Sequence, residues 1–485
     1  MRPDAATFLG RLRATAAADP ARIAVAGTGL ALTYGNLAGR IARMAGWLHR
    51  AGLAPGQMCG LTLRDDLAHL VVALALMRLG CHQVTLASHE PAAMRADIAR
   101  RAGVVAVLAD RAEDAMPGLP CLLPDHAEAA GDAGLAALVP AEPTALPLPL
   151  LVLTSSGTTG RPKLVPLSEP GLLAQSVRRR GLGRVRHRPI GLEYNNGKRF
   201  PLFALANGDT HVLAEASRGI GLEAVCRRFG VAMLGLAPHQ AETLLARERP
   251  VAWPAATRID LAGAAPGDGL VQRLKARLTP EVYVLYGTTE VGSVARAGPA
   301  EHAACPEGSG LVFPTVEVAI VDDRGTPLPP GATGLIRIRA TGMAERYLDD
   351  PEATARAFVG GWFQPGDMGR LLPDGTLVVS GRADDMMMLG TVNIFPAEIE
   401  RVAAAFPGVA ECAAFALRSP ALGDIPVIAI VAEPGATPDA AALLAHCRQR
   451  LGLRAPRKAV MMAALPRTRS GKVMRHELAA MAARG

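Results

Sequence analysis

Aromatic side chains are scarce in this chain: Phe, Trp and Tyr together make up 4% of its 485 residues. A core dominated by stacked rings is thereby excluded, and Ala, Leu, Val and Gly must supply most of the packing. Cysteine is sparse as well. The seven thiols (Cys59, Cys81, Cys121, Cys226, Cys305, Cys412, Cys447) are scattered, odd in number and without CxxC spacing. That pattern indicates neither a disulfide framework nor a zinc site, and it fits a reducing cytoplasm. The N-terminus, MRPDAATFLGRLRATAAADP, lacks the apolar core of a secretion signal. The longest helical apolar stretch, Leu67 to Leu79, is flanked by charge and falls short of the roughly 20 residues needed to span a bilayer. A soluble, cytoplasmic protein with no membrane partner is expected. The charge excess is small, with 52 basic against 44 acidic residues and a formal net charge of +8. Polyanionic small molecules satisfy such an excess, and without aromatic interleaving or a known motif nucleic acid is not an expected partner. No internal repeat stands out.

What the chain does have is apolar mass, half of its residues. A chain this long exceeds one ordinary core, so two or more domains are expected. From Arg22 to Leu108 apolar strands alternate with helical segments, and in one of the latter Leu37, Ile41, Met44 and Leu48 recur at helical spacing behind Thr33 as N-cap. Such alternation predicts an α/β fold, with helices flanking mainly parallel sheets. Residues 126 to 148, rich in Ala and Pro, read as a surface connection. The last hundred residues read as a smaller α+β domain: PAEIERVAAAF and DAAALLAHCRQRLG as helices, VAECAAFAL and PVIAIVAE as strands.

Between these parts lies LVLTSSGTTGRPKLVPLS, Leu151 to Ser168. A short apolar strand ends abruptly in Ser155, Ser156, Gly157, Thr158, Thr159 and Gly160, followed by Arg161, Pro162 and Lys163. Glycines let backbone N–H groups turn towards a ligand, hydroxyls add donors and Lys163 adds a point charge, which together suit a polyphosphate. No Gly-Lys-Ser/Thr follows, so this is not a Walker A loop.

The string SSGTTGRPK resembles the phosphate loop of the adenylate-forming enzymes, the superfamily of acyl-CoA synthetases, peptide-synthetase adenylation domains and luciferases. Further motifs follow in that family's order. LAGAAP, with Gly263, Ala264 and Ala265, resembles the adenine-contacting turn. In VYVLYGTTEVG the resemblance implies that Tyr286 stacks on adenine beside Gly287 and Thr288, that Thr289 contacts the α-phosphate, and that Glu290 helps to hold Mg²⁺. Asp367, in a WFxTGD-like turn with Pro365 in place of threonine, would accept hydrogen bonds from both ribose hydroxyls. Arg382 would lie near ribose or phosphates, and Asp384 would be a hinge pivot. Lys472, in PRTRSGK, matches the catalytic lysine motif and joins Glu290 and Thr159 as the catalytic set.

The resemblance implies an N-terminal domain over residues 1 to 380, a hinge over 381 to 385 and a mobile lid over 386 to 485. It implies ATP and Mg²⁺ as cofactors, with an acyl-adenylate and pyrophosphate formed first and a thiol then acylated. CoA is the expected acceptor, because the chain carries no appended carrier or condensation domain; the phosphopantetheine of a separate acyl carrier protein is the alternative. A nucleotide-binding regulator without catalysis is a different class of answer, disfavoured because Lys163, Glu290, Asp367, Arg382 and Lys472 are all in place. The oligomeric state is left open between monomer and homodimer.

Three stretches depart from, or add to, that pattern. Where relatives carry an aromatic-rich acyl pocket, this chain has Tyr194, Asn195, Asn196, Gly197, Lys198 and Arg199 in a shortened segment, which suggests a small or polar acid. Lys198 or Arg199 either pairs with a second anionic group on that acid or points to solvent. Six arginines between Arg178 and Arg188 form either a solvated face or a docking surface for CoA phosphates or an acidic carrier. Met386 to Met388, the last of them standing where many relatives have lysine, read as packing and not as a ligand set.

Overall fold

In a computed structural model of the chain, the structure describes residues 7–126, 151–155, 161–181, 184–246, 253–254, 257–266, 269–389, 392–419, 423–467 and 473–482. The expected alternation is present. Thr33 caps the helix Tyr34–Arg50 by accepting from Asn36 N at 3.1 Å, and Leu37, Ile41, Met44 and Leu48 are fully buried. The apolar stretch near Leu67 is the interior helix Asp66–Leu79, started by Asp65, which accepts from Ala68 N at 2.7 Å, and stopped by Gly80 in the left-handed region at φ 70°. It is apolar on every side because it is buried on nearly every side. Among the described residues no helix is long and apolar enough to cross a membrane.

These units build two sheets in the large N-terminal part. The six-stranded sheet is parallel through Val104–Ala109, Met58–Thr62, His82–Thr85 and Leu151–Ser155, then closes with the antiparallel strand Lys163–Leu167. The fifteen-stranded sheet is parallel through Ile23–Gly27, Thr210–Val212, Val185–His187, Met233–Leu236, Arg258–Ala262 and Val282–Thr288. From there onward it is antiparallel, through Gly292–Ala297, Gly310–Val312, Thr376–Arg382, Asp367–Leu371 and Gly334–Ala340. The change has a simple cause. Helical crossovers separate the early strands and force parallel pairing, whereas short turns join several of the later ones and permit hairpins.

The C-terminal part has its own apolar core of Met387, Ile394, Ile399, Ile428, Ile430, Leu443 and Cys447. Its sheet pairs Val409–Ser419 with Gly423–Ala432, and the helices Pro396–Ala404 and Ala440–Leu451 carry part of that core. Of the three methionines, only Met387 packs there. Met388 is 51% exposed, because neighbouring residues of the strand Met387–Leu389 face opposite sides. Packing is thus the wrong reading for Met388.

The arginine run is neither a solvated face nor a docking surface over most of its length. Arg178, Arg179, Arg186 and Arg188 are buried; only Arg180 and Arg184 are exposed. Arg178 donates to the carbonyls of Val291 (2.7 Å), Ser293 (3.1 Å) and Thr341 (2.8 Å) and to Thr315 Oγ1 (3.1 Å), tying three distant segments together. Arg179 pairs with Asp260 at 3.1 Å, and Arg186 bonds Asp209. Desolvation lowers the guanidinium pKa of Arg179 and Arg188 to about 10, which leaves both charged at neutral pH.

Candidate active site

In parallel α/β sheets ligands bind beyond the carboxyl ends of the strands. Here the strands Leu151–Ser155 and Val282–Thr288 end in the two motif segments. Ser155 is the last strand residue and pairs with Lys163, so the two ends of the phosphate loop are neighbours. Ser156, Gly157, Thr158, Thr159 and Gly160 lie outside the described residues. The rim is tied down on its other side: Arg161 grips Asp97 with two hydrogen bonds, at 3.0 and 2.7 Å, and Arg101 donates to the Pro162 carbonyl at 2.7 Å. Lys163, at the start of the returning strand, instead directs its ammonium to Tyr347.

Lys163 Nζ stands 4.8 Å from the centre of the Tyr347 ring, and the Tyr347 hydroxyl donates to Glu290 Oε1 at 2.9 Å. One tyrosine therefore joins the phosphate-loop lysine to the carboxylate expected to hold the metal. Burial and the adjacent Glu290 push the Tyr347 hydroxyl pKa up, so it remains a donor. Glu290 is buried at 6% exposure, with Arg199 as its charged neighbour. Arg199 Nη1 also donates to the Thr289 carbonyl at 3.0 Å and to Gln175 Oε1 at 3.2 Å. Mg²⁺ is commonly held by one or two carboxylates together with substrate phosphates, and Glu290 is the carboxylate here that would hold it.

The strand Val282–Thr288 runs on through Tyr286, Gly287 and Thr288. Gly287 is required there because a Cβ would stand 2.3 Å from the Gly292 carbonyl oxygen. The Thr288 hydroxyl accepts from Val291 N at 3.1 Å and so caps the turn. The neighbouring strand ends at Ala262, opposite Leu285, so that Gly263, Ala264 and Ala265 leave it at the carboxyl ends of the strands; Gly263 makes the bend with φ 101°.

The Tyr286 hydroxyl donates to Asp367 Oδ2. Asp367 and Arg382 face each other in register, 3.6 Å apart between Oδ1 and Nη1, and Arg382 Nη2 donates to Asp384 at 2.9 Å. Desolvation opposes the charge on Arg382, but Asp367 and Asp384 outweigh it and raise its pKa. Tyr286, Asp367, Arg382 and Asp384 thus form one connected set.

Of the acyl-pocket residues, Tyr194 is partly exposed and stacks on His89 with centroids 4.6 Å apart. Asn195 and Asn196 begin the helix Asn195–Ala206, and their side chains lie outside the described residues. Gly197 packs so closely on Gly191 that a Cβ would fall 1.9 Å from its carbonyl oxygen. Lys198 and Arg199 do not point to solvent, since both are buried. Lys472 lies outside the described residues, although Arg467 and Val473 on either side of its motif pair across from each other. The reading of motifs missed Tyr347. Its signal was slight: one tyrosine of five in the chain, before the Asp350-capped helix Pro351–Ala357.

A two-lobed α/β fold whose strand ends gather Lys163, the buried carboxylate of Glu290 and the Tyr286, Asp367 and Arg382 set has the layout of a nucleotide-handling enzyme. Residues 12–348 match the AMP-binding enzyme family and residues 398–472 the AMP-binding enzyme C-terminal domain. The chain belongs to that family. It is 29% identical to an indoleacetate–CoA ligase of Aromatoleum aromaticum, covering 96% of each chain. It is 30% identical to a feruloyl-CoA synthase of an Amycolatopsis species, over 95% of this chain and 96% of the relative. Among solved structures, the amide bond synthetase McbA from Marinactinospora thermotolerans superposes with a TM-score of 0.87 at 26% identity, covering 98% of this chain and 99% of that one. ATP-bound MatB from Rhodopseudomonas palustris shares the fold, with a TM-score of 0.88 at 22% identity.

Proposed function

We propose that this enzyme activates a carboxylic acid with ATP and passes the acyl group to the thiol of CoA. One observation carries the assignment: Lys163, Tyr347 and Glu290 form a continuous chain of contacts at the strand ends, beside the Tyr286, Asp367 and Arg382 set. A carboxylate is a poor nucleophile and a triphosphate repels it, so the site must neutralise charge and align the partners. The carboxylate oxygen attacks the α-phosphorus, and the bond to the bridging oxygen breaks to release pyrophosphate. Lys163 and the loop of residues 155 to 163 hold the outer phosphates, Thr289 the α-phosphate, and Asp367 the ribose. Glu290 would hold Mg²⁺, which screens phosphate charge when bound. Lys472 would bridge the carboxylate and the α-phosphate. In the second half the lid turns about Asp384, within the 381 to 385 hinge, and withdraws Lys472. A thiol that has lost its proton then attacks the acyl carbonyl, and AMP leaves with the acyl–oxygen electron pair.

The test is ATP–pyrophosphate exchange screened over acids of graded length and polarity, followed by product analysis with CoA and with a phosphopantetheine-bearing carrier protein. Acid-dependent exchange followed by a CoA thioester is the expected result. Exchange absent with every acid would overturn the proposal, and acylation of the carrier alone would replace CoA as acceptor. The second outcome has a precedent in a relative 27% identical over 95% of this chain, a fatty acid–[acyl-carrier-protein] ligase of Streptomyces coeruleorubidus.

A further inference from the structure

The first turn of the helix Asn195–Ala206 holds two adjacent cations, Lys198 and Arg199. The fold treats them differently. Arg199 is satisfied by the protein: Gln175, the Thr289 carbonyl and the nearby Glu290 account for its charge. Lys198 is also buried, at 1% exposure, yet among the described residues its ammonium has one hydrogen-bond acceptor, Thr85 Oγ1 at 3.0 Å. An ammonium carries three N–H donors and no acceptor. Among the described residues no carboxylate lies within ion-pair distance of it. The titratable neighbour is His69, which is fully buried, makes its contact through Nδ1 to the Leu63 carbonyl at 3.0 Å, and is held neutral by burial first and by Lys198 second. A buried cation without an anionic partner is costly: desolvation alone lowers the Lys198 pKa to about 7, so the free enzyme holds this group close to neutrality, and an anion brought beside it restores the charge.

The position of this group identifies the ligand. Thr85 ends the strand His82–Thr85, whose sheet neighbour is Leu151–Ser155, the strand that enters the phosphate loop. Arg199, one residue on, touches the Tyr286–Glu290 segment through Thr289. Lys198 is therefore set between the two motif segments, at the carboxyl ends of the strands. The turn before it is rigid: Gly197 is wedged against the Gly191 carbonyl, Asp66 accepts from Leu192 N at 2.8 Å, and Glu193 accepts from Ser88 N at 2.7 Å and Ser88 Oγ at 2.9 Å. A charge held this firmly is preorganised for a fixed partner.

We propose that Lys198 is the counter-ion for a second anionic group at the far end of the acid substrate, so that the enzyme selects acids bearing two negative groups over singly charged acids of the same length. The proposal rests on the acid-activation reading above and narrows its substrate class to short dicarboxylates or sulfonated carboxylates. A singly charged acid brings no partner for the ammonium, and a site built to bind a polar group rejects analogues that lack it by about 10⁴-fold or more.

The experiment uses the full chain and two readouts. Exchange kinetics are measured with malonate, succinate, glutarate and sulfoacetate, and with the monomethyl ester of each dicarboxylate. Binding of the same acids is measured by calorimetry with AMP present, for the wild type and for Lys198→Met, with Lys198→Gln as the second variant should the first fail to fold. One of the doubly charged acids is expected to exceed its singly charged counterpart by about 10⁴-fold in kcat/KM. In Lys198→Met that ratio should fall towards unity through the KM of the acid, with a matching loss of calorimetric affinity. A wild type that prefers singly charged acids, or a variant that keeps the wild-type ratio and affinity, overturns the proposal. Calorimetric discrimination without exchange supports the counter-ion role and overturns the activation reading instead.

Discussion

Tyr347 links two functions through one side chain, its ring under the Lys163 ammonium and its hydroxyl on Glu290. Tyr347→Phe should separate them, because it keeps the cation–π contact and removes a hydrogen bond to a charged group worth about 1.5–3 kcal/mol. The expected result is a roughly tenfold or greater loss of exchange rate, with a higher Mg²⁺ requirement than the wild type in a titration of exchange against metal. Lys198 makes a second prediction, on stability. Desolvation lowers its pKa from 10.5 to about 7. Between those values the unfolded chain holds the proton that the folded chain has lost, so folding is favoured as pH rises and the penalty is complete below about pH 7. Lys198→Met should therefore raise Tm most at about pH 6 to 7, with the gain shrinking towards pH 10; a gain that is flat or grows with pH would contradict it. Glu290, Asp367 and Arg382 were legible as residues because their motifs are short and local. Tyr347 was not, since its role exists only where two distant strand ends meet.

At the scale of elements, the buried arginines hold segments in place. Breaking the Arg186–Asp209 pair by Arg186→Met should cost about 3–5 kcal/mol, because it leaves Asp209 buried without its cation. Denaturant unfolding checks this, and a loss under about 1 kcal/mol would show the carboxylate rehydrated. The start of the helix Asn195–Ala206 is as demanding. In Gly197→Ala the new Cβ would stand 1.9 Å from the Gly191 carbonyl. The turn must open, so reduced Tm together with a raised KM for the acid is expected. A count of charges along the chain reads SVRRRGLGRVRHRP as surface. It is interior because Asp260, Asp209 and the carbonyls of residues 291, 293 and 341 lie far away in sequence and arrive only on folding.

For the whole molecule, the proposed two-half mechanism calls for a lid that moves. Asp384 is exposed, in the short turn Ala383–Asp385 between strand Thr376–Arg382 and the C-terminal core. Proline locks φ, so in a single-turnover assay Asp384→Pro should lose thioester formation by about tenfold or more beyond any loss of acid-dependent pyrophosphate exchange caused by removing the Arg382 partner. Equal losses in both halves would count against the hinge. The chain's order of motifs and its hydrophobic periodicities by themselves determined the family, the alternating helices and strands, and the separate C-terminal lobe, because each depends on residues close together in sequence. Tertiary structure alone decided the parallel-to-antiparallel change after Val282–Thr288, the burial of the arginine run, the Lys163–Tyr347–Glu290 contact and the enclosure of Lys198. Those outcomes depend on which groups desolvate one another across long sequence separations, and desolvation is a property of the packed molecule.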